Sequence, residues 1–192
     1  SVSFGVARLP KEKGGKLEWL ASHEPDLALA IGSAFKLYVL GALGEETEQG
    51  KRKWSDVVTL REDWRSFPSG VLHSWPAGAP VTLHTAATEM ISISDNTATD
   101  LLIRTLGRER VESMLEKMGN RSPKRSIPFL TTVEIFKLKS KGSEKLRKQY
   151  READEKGKRA LLEKEVAALD RKSVDLSETI STPTAIEDLE WF

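Results

Sequence analysis

The hydrophobic pattern of this chain changes its period near residue 30, and this change is the strongest constraint on its fold. Apolar and small residues alternate in two short runs, residues 2–6 and 17–21, as is typical of half-buried strands. The segment 11–15 between them ends in two glycines and supplies a turn, which predicts a β-hairpin over residues 2–22. Beyond residue 30 the period becomes helical, so the sequence predicts a mixed α/β fold.

Four helices are predicted in the middle of the chain. The first starts at Ser33, because apolar residues recur every four positions from Phe35, and it ends at Gly44 or Gly50. The other predictions are helices over 82–91 capped by Thr82, from the break at 94–96 to Leu106, and over 108–118.

The stretch from residue 137 to residue 172 differs in character, because Lys, Glu, Arg, Leu and Ala dominate it. Leu146, Tyr150 and Ala153 form only a thin apolar stripe, which indicates a solvent-facing helix or helical hairpin with a break at Gly157. We interpret it as an insertion in a single domain of residues 1–192. Glutamates are interleaved with its lysines, which argues against nucleic-acid binding.

Composition excludes several classes of function. Lys and Arg number 30 against 29 Asp and Glu, a net charge of +1, so no electrostatic attraction to nucleic acid or to an anionic membrane is expected. The chain has no cysteine, which excludes disulfides, zinc–thiolate sites and thiol nucleophiles. Its three histidines are scattered, so we expect no metal and no cofactor. No apolar run approaches the ~20 residues of a membrane span.

The string Ser33-Ala34-Phe35-Lys36 is the first candidate for chemistry. A serine hydroxyl needs a neighbouring base to become a nucleophile at neutral pH, and residues three apart share one side of a helix. Lys36 is therefore expected beside the Ser33 hydroxyl, with its pKa lowered by burial. A Ser-x-x-Lys string arises by chance about once in a chain of this length. By itself it also fits a capping serine followed by a surface lysine.

The second candidate, Ser94-Asp95-Asn96, lies at the break between two predicted helices. These three residue types are also preferred helix caps, so the string alone fits an ordinary cap. Both strings in this order resemble the signature of class A β-lactamases and penicillin-binding proteins. Phrases that resemble the same family occupy residues 68–72, 76–78, 81–83 and 90–102. The resemblance is close over residues 1–120 and weaker beyond them.

The resemblance implies a serine β-lactamase/DD-peptidase fold, in which an antiparallel sheet packs with a helical lobe. It also implies roles for the residues of the two strings. Ser33 would be acylated by a β-lactam or a peptide, and Lys36 would assist proton transfer. Ser94 would pass a proton to the leaving nitrogen, Asn96 would contact the substrate amide, and Asp95 would bond to local backbone.

Two departures from the family pattern matter. No Lys-Thr-Gly string follows Asn96, and Lys141-Gly142-Ser143 has the wrong order. We therefore expect the last three strands of the sheet to lie beyond Phe192. The Glu-x-x-Leu-Asn string that carries the deacylating base in class A enzymes is also missing, and Glu134 is the nearest candidate. Glu187 and Glu190 are alternatives, and slow deacylation is expected.

Three functions remain open at this point. The first is a serine hydrolase that forms an acyl-enzyme with β-lactams or related amides and esters, a small-molecule substrate. The second is a non-hydrolytic relative that binds penicillin or a cell-wall fragment, and the third is a helical interaction protein that uses residues 140–172. The family resemblance implies an extracytoplasmic location, although the chain shows no signal peptide.

Overall fold

The computed structural model describes residues 2–12, 14–27 and 31–174. These residues form two compact units that divide between Ile31 and Gly32. Helices dominate, and two small antiparallel sheets accompany them. The mixed α/β class expected from the change of hydrophobic period is therefore confirmed.

The first unit is the predicted β-hairpin. Strand β1, Phe4–Arg8, pairs antiparallel with β2, Glu18–His23. The register places Phe4 opposite His23 and Arg8 opposite Glu18, and it shifts between Val6 and Ala7. Phe4 stacks on the His23 ring with a centroid distance of 5.8 Å, and Arg8 donates to the Glu18 carboxylate. The alternating pattern thus predicted both strands.

The second unit begins with a 3-10 turn, Gly32–Phe35, that leads directly into the first α-helix. Its helices are α1 Lys36–Glu48, α2 Leu83–Ser92, α3 Asn96–Leu106, α4 Arg108–Lys117, α5 Thr132–Lys139, α6 Glu144–Glu152 and α7 Glu155–Leu161. A π-helical turn, Leu162–Val166, continues α7. Strands β3, Val57–Thr59, and β4, Pro80–Thr82, pair antiparallel.

Local capping chemistry explains most of these helix boundaries. Thr82 accepts a hydrogen bond from the Thr85 N–H at 3.0 Å and so caps α2, as predicted. Of the two glycines proposed to end α1, Gly50 is the one that follows its last turn, with a φ of 70° that glycine tolerates. Gly107 ends α3, also as predicted.

The main core lies among α1, α2, α3 and α4. Val39 and Leu43 from α1 are fully buried, and Phe35 packs against the same core. Six further leucines of this cluster are fully buried: Leu60, Leu72, Leu83, Leu101, Leu102 and Leu115. Burial of such side chains stabilises the fold by about 1.5–3 kcal/mol each. This core fixes the start of α1 against the junction of α2 and α3.

The charged stretch is less exposed than its composition predicted. Tyr150, Leu162 and Val166 are buried in a second apolar cluster, which they form with Leu130, Ile135 and Leu138. The predicted break at Gly157 is wrong, because Gly157 lies inside α7. The helices separate at Ala153 and Asp154 instead, where the Asp154 carboxylate accepts the Gly157 N–H at 2.7 Å and caps α7.

Candidate active site

The turn that precedes α1 places Ser33 and Lys36 on the same side of the chain. Residues three apart are eclipsed in a 3-10 turn, and Gly32–Phe35 forms such a turn. Ser33 is exposed, whereas Lys36, the first residue of α1, is only 2% exposed. A buried lysine requires polar partners, and these partners define the site.

Lys36 makes three hydrogen bonds, and all of them go to the Ser94-Asp95-Asn96 string. Its Nζ donates to the Ser94 carbonyl at 2.6 Å and to the Ser94 Oγ at 2.8 Å. The third bond goes to the Asn96 Oδ1 at 2.9 Å. An ammonium group has three donors, so these three bonds satisfy it completely.

The Ser94 hydroxyl links Lys36 to Ser33. Its Oγ lies 2.9 Å from the Ser33 Oγ, while it also accepts from the lysine Nζ. The helical spacing predicted that Lys36 lies beside the Ser33 hydroxyl. In the structure the connection runs through Ser94 instead, so that three side chains form one continuous hydrogen-bonded path.

Burial lowers the pKa of Lys36 from 10.5 to about 8, and the negative charges of Asp100 and Asp95 partly oppose this shift. Removal from water disfavours the charged ammonium, whereas nearby carboxylates favour it. A lysine with this pKa exists partly as a neutral amine near neutral pH. Such an amine can accept a proton.

Asp95 holds the string in place. One carboxylate oxygen accepts the Ala98 N–H at 2.9 Å and caps α3, while the other accepts from Val71 and Leu72 at 2.6 and 2.8 Å. Gly70 lies against this carboxylate, since a Cβ there would be 2.2 Å from its Cγ. Asp95 therefore joins the 70–72 loop to the start of α3.

Asn96 connects the lysine to the residues just before this loop. Its Oδ1 accepts from Lys36, its Nδ2 donates to the Phe67 carbonyl at 3.2 Å, and its backbone N–H donates to the Ser69 carbonyl at 3.2 Å. The side-chain amide has two N–H donors, and the bond to Phe67 uses one of them. The other N–H can serve a ligand.

A cavity of about 240 Å³ opens at Ser33. Its lining residues are Gly32, Ser33, Phe35, Pro68, Ser69, Asn96, Thr132, Ile135 and Phe136. Most of this wall is apolar, and Phe136 packs edge-to-face on Phe67 with centroids 5.3 Å apart. No acidic side chain of the described residues belongs to the lining.

Glu134 lies elsewhere. Its two carboxylate oxygens accept from the Arg108 guanidinium at 2.7 and 3.0 Å, and one of them also accepts the Thr131 N–H at 2.8 Å. It lines a second cavity, of about 320 Å³, together with Arg104 and Lys137. Glu187 and Glu190 lie outside the described residues. In the described ranges, no group of three His, Asp or Glu side chains is arranged to hold a metal ion.

Sequence reasoning missed the segment that forms one wall of the cavity. Thr131 and Glu134 make a capping box that starts α5, a Thr-x-x-Glu pattern visible in the sequence. Asp100, fully buried, accepts the N–H groups of Thr132 and Val133 at 2.6 and 2.9 Å. Burial raises the pKa of Asp100 to about 6. The sequence signal that could have revealed this contact was Asp100 itself, an acidic residue next to Leu101 on an apolar helix.

Comparison with known proteins gives one family match. The profile of the beta-lactamase enzyme family matches residues 5–161, well past the residue at which the sequence resemblance weakens. Among curated proteins, no sequence matches this chain.

Solved structures give further matches. A beta-lactamase from Sphaerobacter thermophilus is 32% identical, with a TM-score of 0.50, and the match covers 56% of this chain and 40% of that one. A structure of PBP-A matches at 26% identity, TM-score 0.46, covering 48% and 36% of the two chains. A PBP-A variant, as an acyl-enzyme complex with penicillin G, matches at 24%, TM-score 0.45, covering 51% and 40%.

The chain thus spans about two fifths of the length of the first of these solved relatives. The family profile, in contrast, covers most of the chain, from the first strand to the end of α7. The fold agrees with the family profile, since the described helices and small antiparallel sheets match part of the Sphaerobacter structure. This chain belongs to the beta-lactamase enzyme family.

Proposed function

We propose that this chain carries the nucleophilic half of an acyl-transfer serine hydrolase that acts on β-lactams or related amides and esters. The observation that carries the proposal is the path from the buried Lys36 through the Ser94 hydroxyl to Ser33. A serine nucleophile needs a nearby base, and this path provides one.

In the first step, neutral Lys36 accepts a proton from the Ser94 hydroxyl as Ser94 takes the proton of Ser33. The Ser33 Oγ then forms a bond to the carbonyl carbon of the substrate, while the π electron pair of the C=O bond moves onto the carbonyl oxygen, which becomes an oxyanion. The hydrogen bonds at 2.8 and 2.9 Å lie within the range for such transfer.

In the second step, the oxyanion re-forms the C=O double bond, and the bond between the carbonyl carbon and the lactam nitrogen breaks. The nitrogen takes a proton from Ser94, and Lys36 returns its proton to Ser94. The product is an ester on Ser33, and all protons are accounted for. Asn96 would donate its remaining amide N–H to the substrate, and the wall around Phe136 would contact the acyl group.

Covalent labelling tests this proposal. We expect incubation of the full-length protein with a reactive β-lactam to add the mass of one ligand, on the peptide that contains Ser33. The measurement is intact-protein and peptide mass spectrometry, with Ser33→Ala as the matched variant. An adduct that persists in Ser33→Ala contradicts the assignment of the nucleophile.

Release of the acyl group is expected to be slower than its formation. No acidic side chain of the described residues lines the cavity at Ser33, and Glu134 is engaged by Arg108. Stopped-flow traces with a chromogenic cephalosporin should therefore show a burst followed by slow turnover. A linear trace at ~10–10³ per second contradicts this expectation. Loss of that turnover in Glu134→Gln alone would identify Glu134 as the base.

A non-hydrolytic, penicillin-binding relative is the second candidate, and the same cavity without an acidic side chain among its described lining favours it. It differs from the hydrolase in one observable, since its acyl-enzyme would persist without turnover.

An extracytoplasmic location, as expected for the family, belongs to this proposal. None of the helices in the described residues is long and apolar enough to cross a bilayer.

A further inference from the structure

We propose that Ser69 is a positioning residue that holds the Ser94 hydroxyl between Lys36 and Ser33. This inference rests on the proposed function of the site. Ser69 lines the cavity at Ser33, and neither of the two family motifs includes it.

Two hydrogen bonds connect Ser69 to the Ser94-Asp95-Asn96 string. Its Oγ donates to the Ser94 carbonyl at 2.6 Å, and its own carbonyl accepts the Asn96 N–H at 3.2 Å. These two bonds hold the backbone on both sides of Asp95, at the Ser94 carbonyl and at the Asn96 N–H. Ser69 thus acts on the geometry of Ser94 without contact to the reacting hydroxyl.

The backbone of Ser94 needs such support. Its φ is +58°, in the left-handed region that residues other than glycine rarely adopt. A residue persists there only when surrounding contacts hold it. In this conformation the carbonyl of Ser94 faces Lys36 and Ser69, while its Oγ reaches Ser33.

Ser69 and Lys36 share one acceptor. The Ser94 carbonyl has two lone pairs, and the Ser69 Oγ and the Lys36 Nζ each lie 2.6 Å from it. Without the serine hydroxyl, the carbonyl becomes a stronger acceptor for the ammonium, which favours the charged form of Lys36. The other charges that act on Lys36 are those of Asp100 and Asp95 on α3 and its cap, and the substitution leaves them in place.

Three variants of the full-length protein test this role. We expect Ser69→Ala to slow acylation about two- to tenfold, the effect of one net hydrogen bond, and to move the midpoint of its pH profile upward. Ser69→Thr keeps the hydroxyl and should restore both. The control is Ser74→Ala, because the Ser74 hydroxyl donates to the Val71 carbonyl at 2.7 Å in the same loop without reaching Ser94.

A direct titration separates this inference from the proposed function. NMR of the Lys36 side chain without substrate should show a higher pKa in Ser69→Ala than in wild type and Ser74→Ala. A Lys36 pKa in Ser69→Ala that is equal to or lower than the wild-type pKa overturns the role of Ser69. A loss of acylation in Ser74→Ala as large as that in Ser69→Ala overturns it as well. Absence of any Ser33 adduct in wild type contradicts the proposed function, and the titration still decides the role of Ser69.

Discussion

Lys36→Ala should slow acylation of Ser33 about 10²–10⁴-fold, the usual contribution of a general base. The substitution removes the end of the proton path, and it also removes the donor bound by Ser94 and Asn96. In wild type, the acylation rate should rise with pH and level off above about 8, because the neutral amine is the reactive form and the pKa of Lys36 is about 8. Stopped-flow measurement of acylation across pH checks both expectations.

Two lysines serve as controls for this experiment. Lys137 is also buried, and it donates to the carbonyls of Val166 and Ala167 at 3.1 and 3.2 Å, away from Ser33. Lys141 is exposed. Lys137→Ala should lower stability and leave acylation near the wild-type rate, and Lys141→Ala should change little. A loss of acylation in either control equal to that in Lys36→Ala would mean that the base is misassigned.

Gly70→Ala should destabilise the protein by about 2–5 kcal/mol, through overpacking combined with backbone strain. Gly70 has a φ of +88°, and an added Cβ would lie 2.2–2.3 Å from atoms of the buried Asp95 side chain. Asp95 cannot move away without losing its bonds to Val71, Leu72 and Ala98. Denaturant unfolding measures the loss of stability, and acylation of the folded fraction should fall as well.

Gly78→Ala is the matched control for Gly70→Ala. Gly78 has a nearly equal φ of +86°, yet an added Cβ there meets no atom within 4 Å. This variant should cost only the ~1–2 kcal/mol of the left-handed backbone. If both variants lose the same free energy of unfolding, contact with Asp95 does not constrain the loop.

Local patterns in the sequence were sufficient to predict the hairpin and most helix boundaries. The strand period, the Thr82 cap and the Gly107 stop each depend on residues within a few positions of one another. The two motifs were also visible, because each string is contiguous. The Thr131 capping box is also a local pattern, but it was not among the predicted features. Helix α5, which carries Phe136, was therefore not predicted.

Composition was misleading in the charged stretch. Its Lys and Glu residues predicted a solvent-facing helix, yet Tyr150, Leu162 and Val166 are buried in one cluster with Leu138. Tyr150 stands among charged and polar residues, whereas Leu162 and Val166 lie four positions apart, next to Leu161 and Ala167, so their spacing indicated a buried face that composition did not. Only the packing of three successive helices brings them together.

The sequence by itself determined the local elements and the residue types available for chemistry. Only the tertiary structure decided how those residues meet. Lys36 donates hydrogen bonds to Ser94 and Asn96, which lie 58 and 60 positions away along the chain. Its connection to Ser33 runs through the Ser94 hydroxyl and is not direct. The tertiary structure also placed the Glu134 carboxylate against Arg108. The order of residues along the chain indicated only that Glu134 was the nearest candidate for the deacylating base. Long-range contacts of this kind depend on the packing of α1 against α3, and no local periodicity encodes that packing.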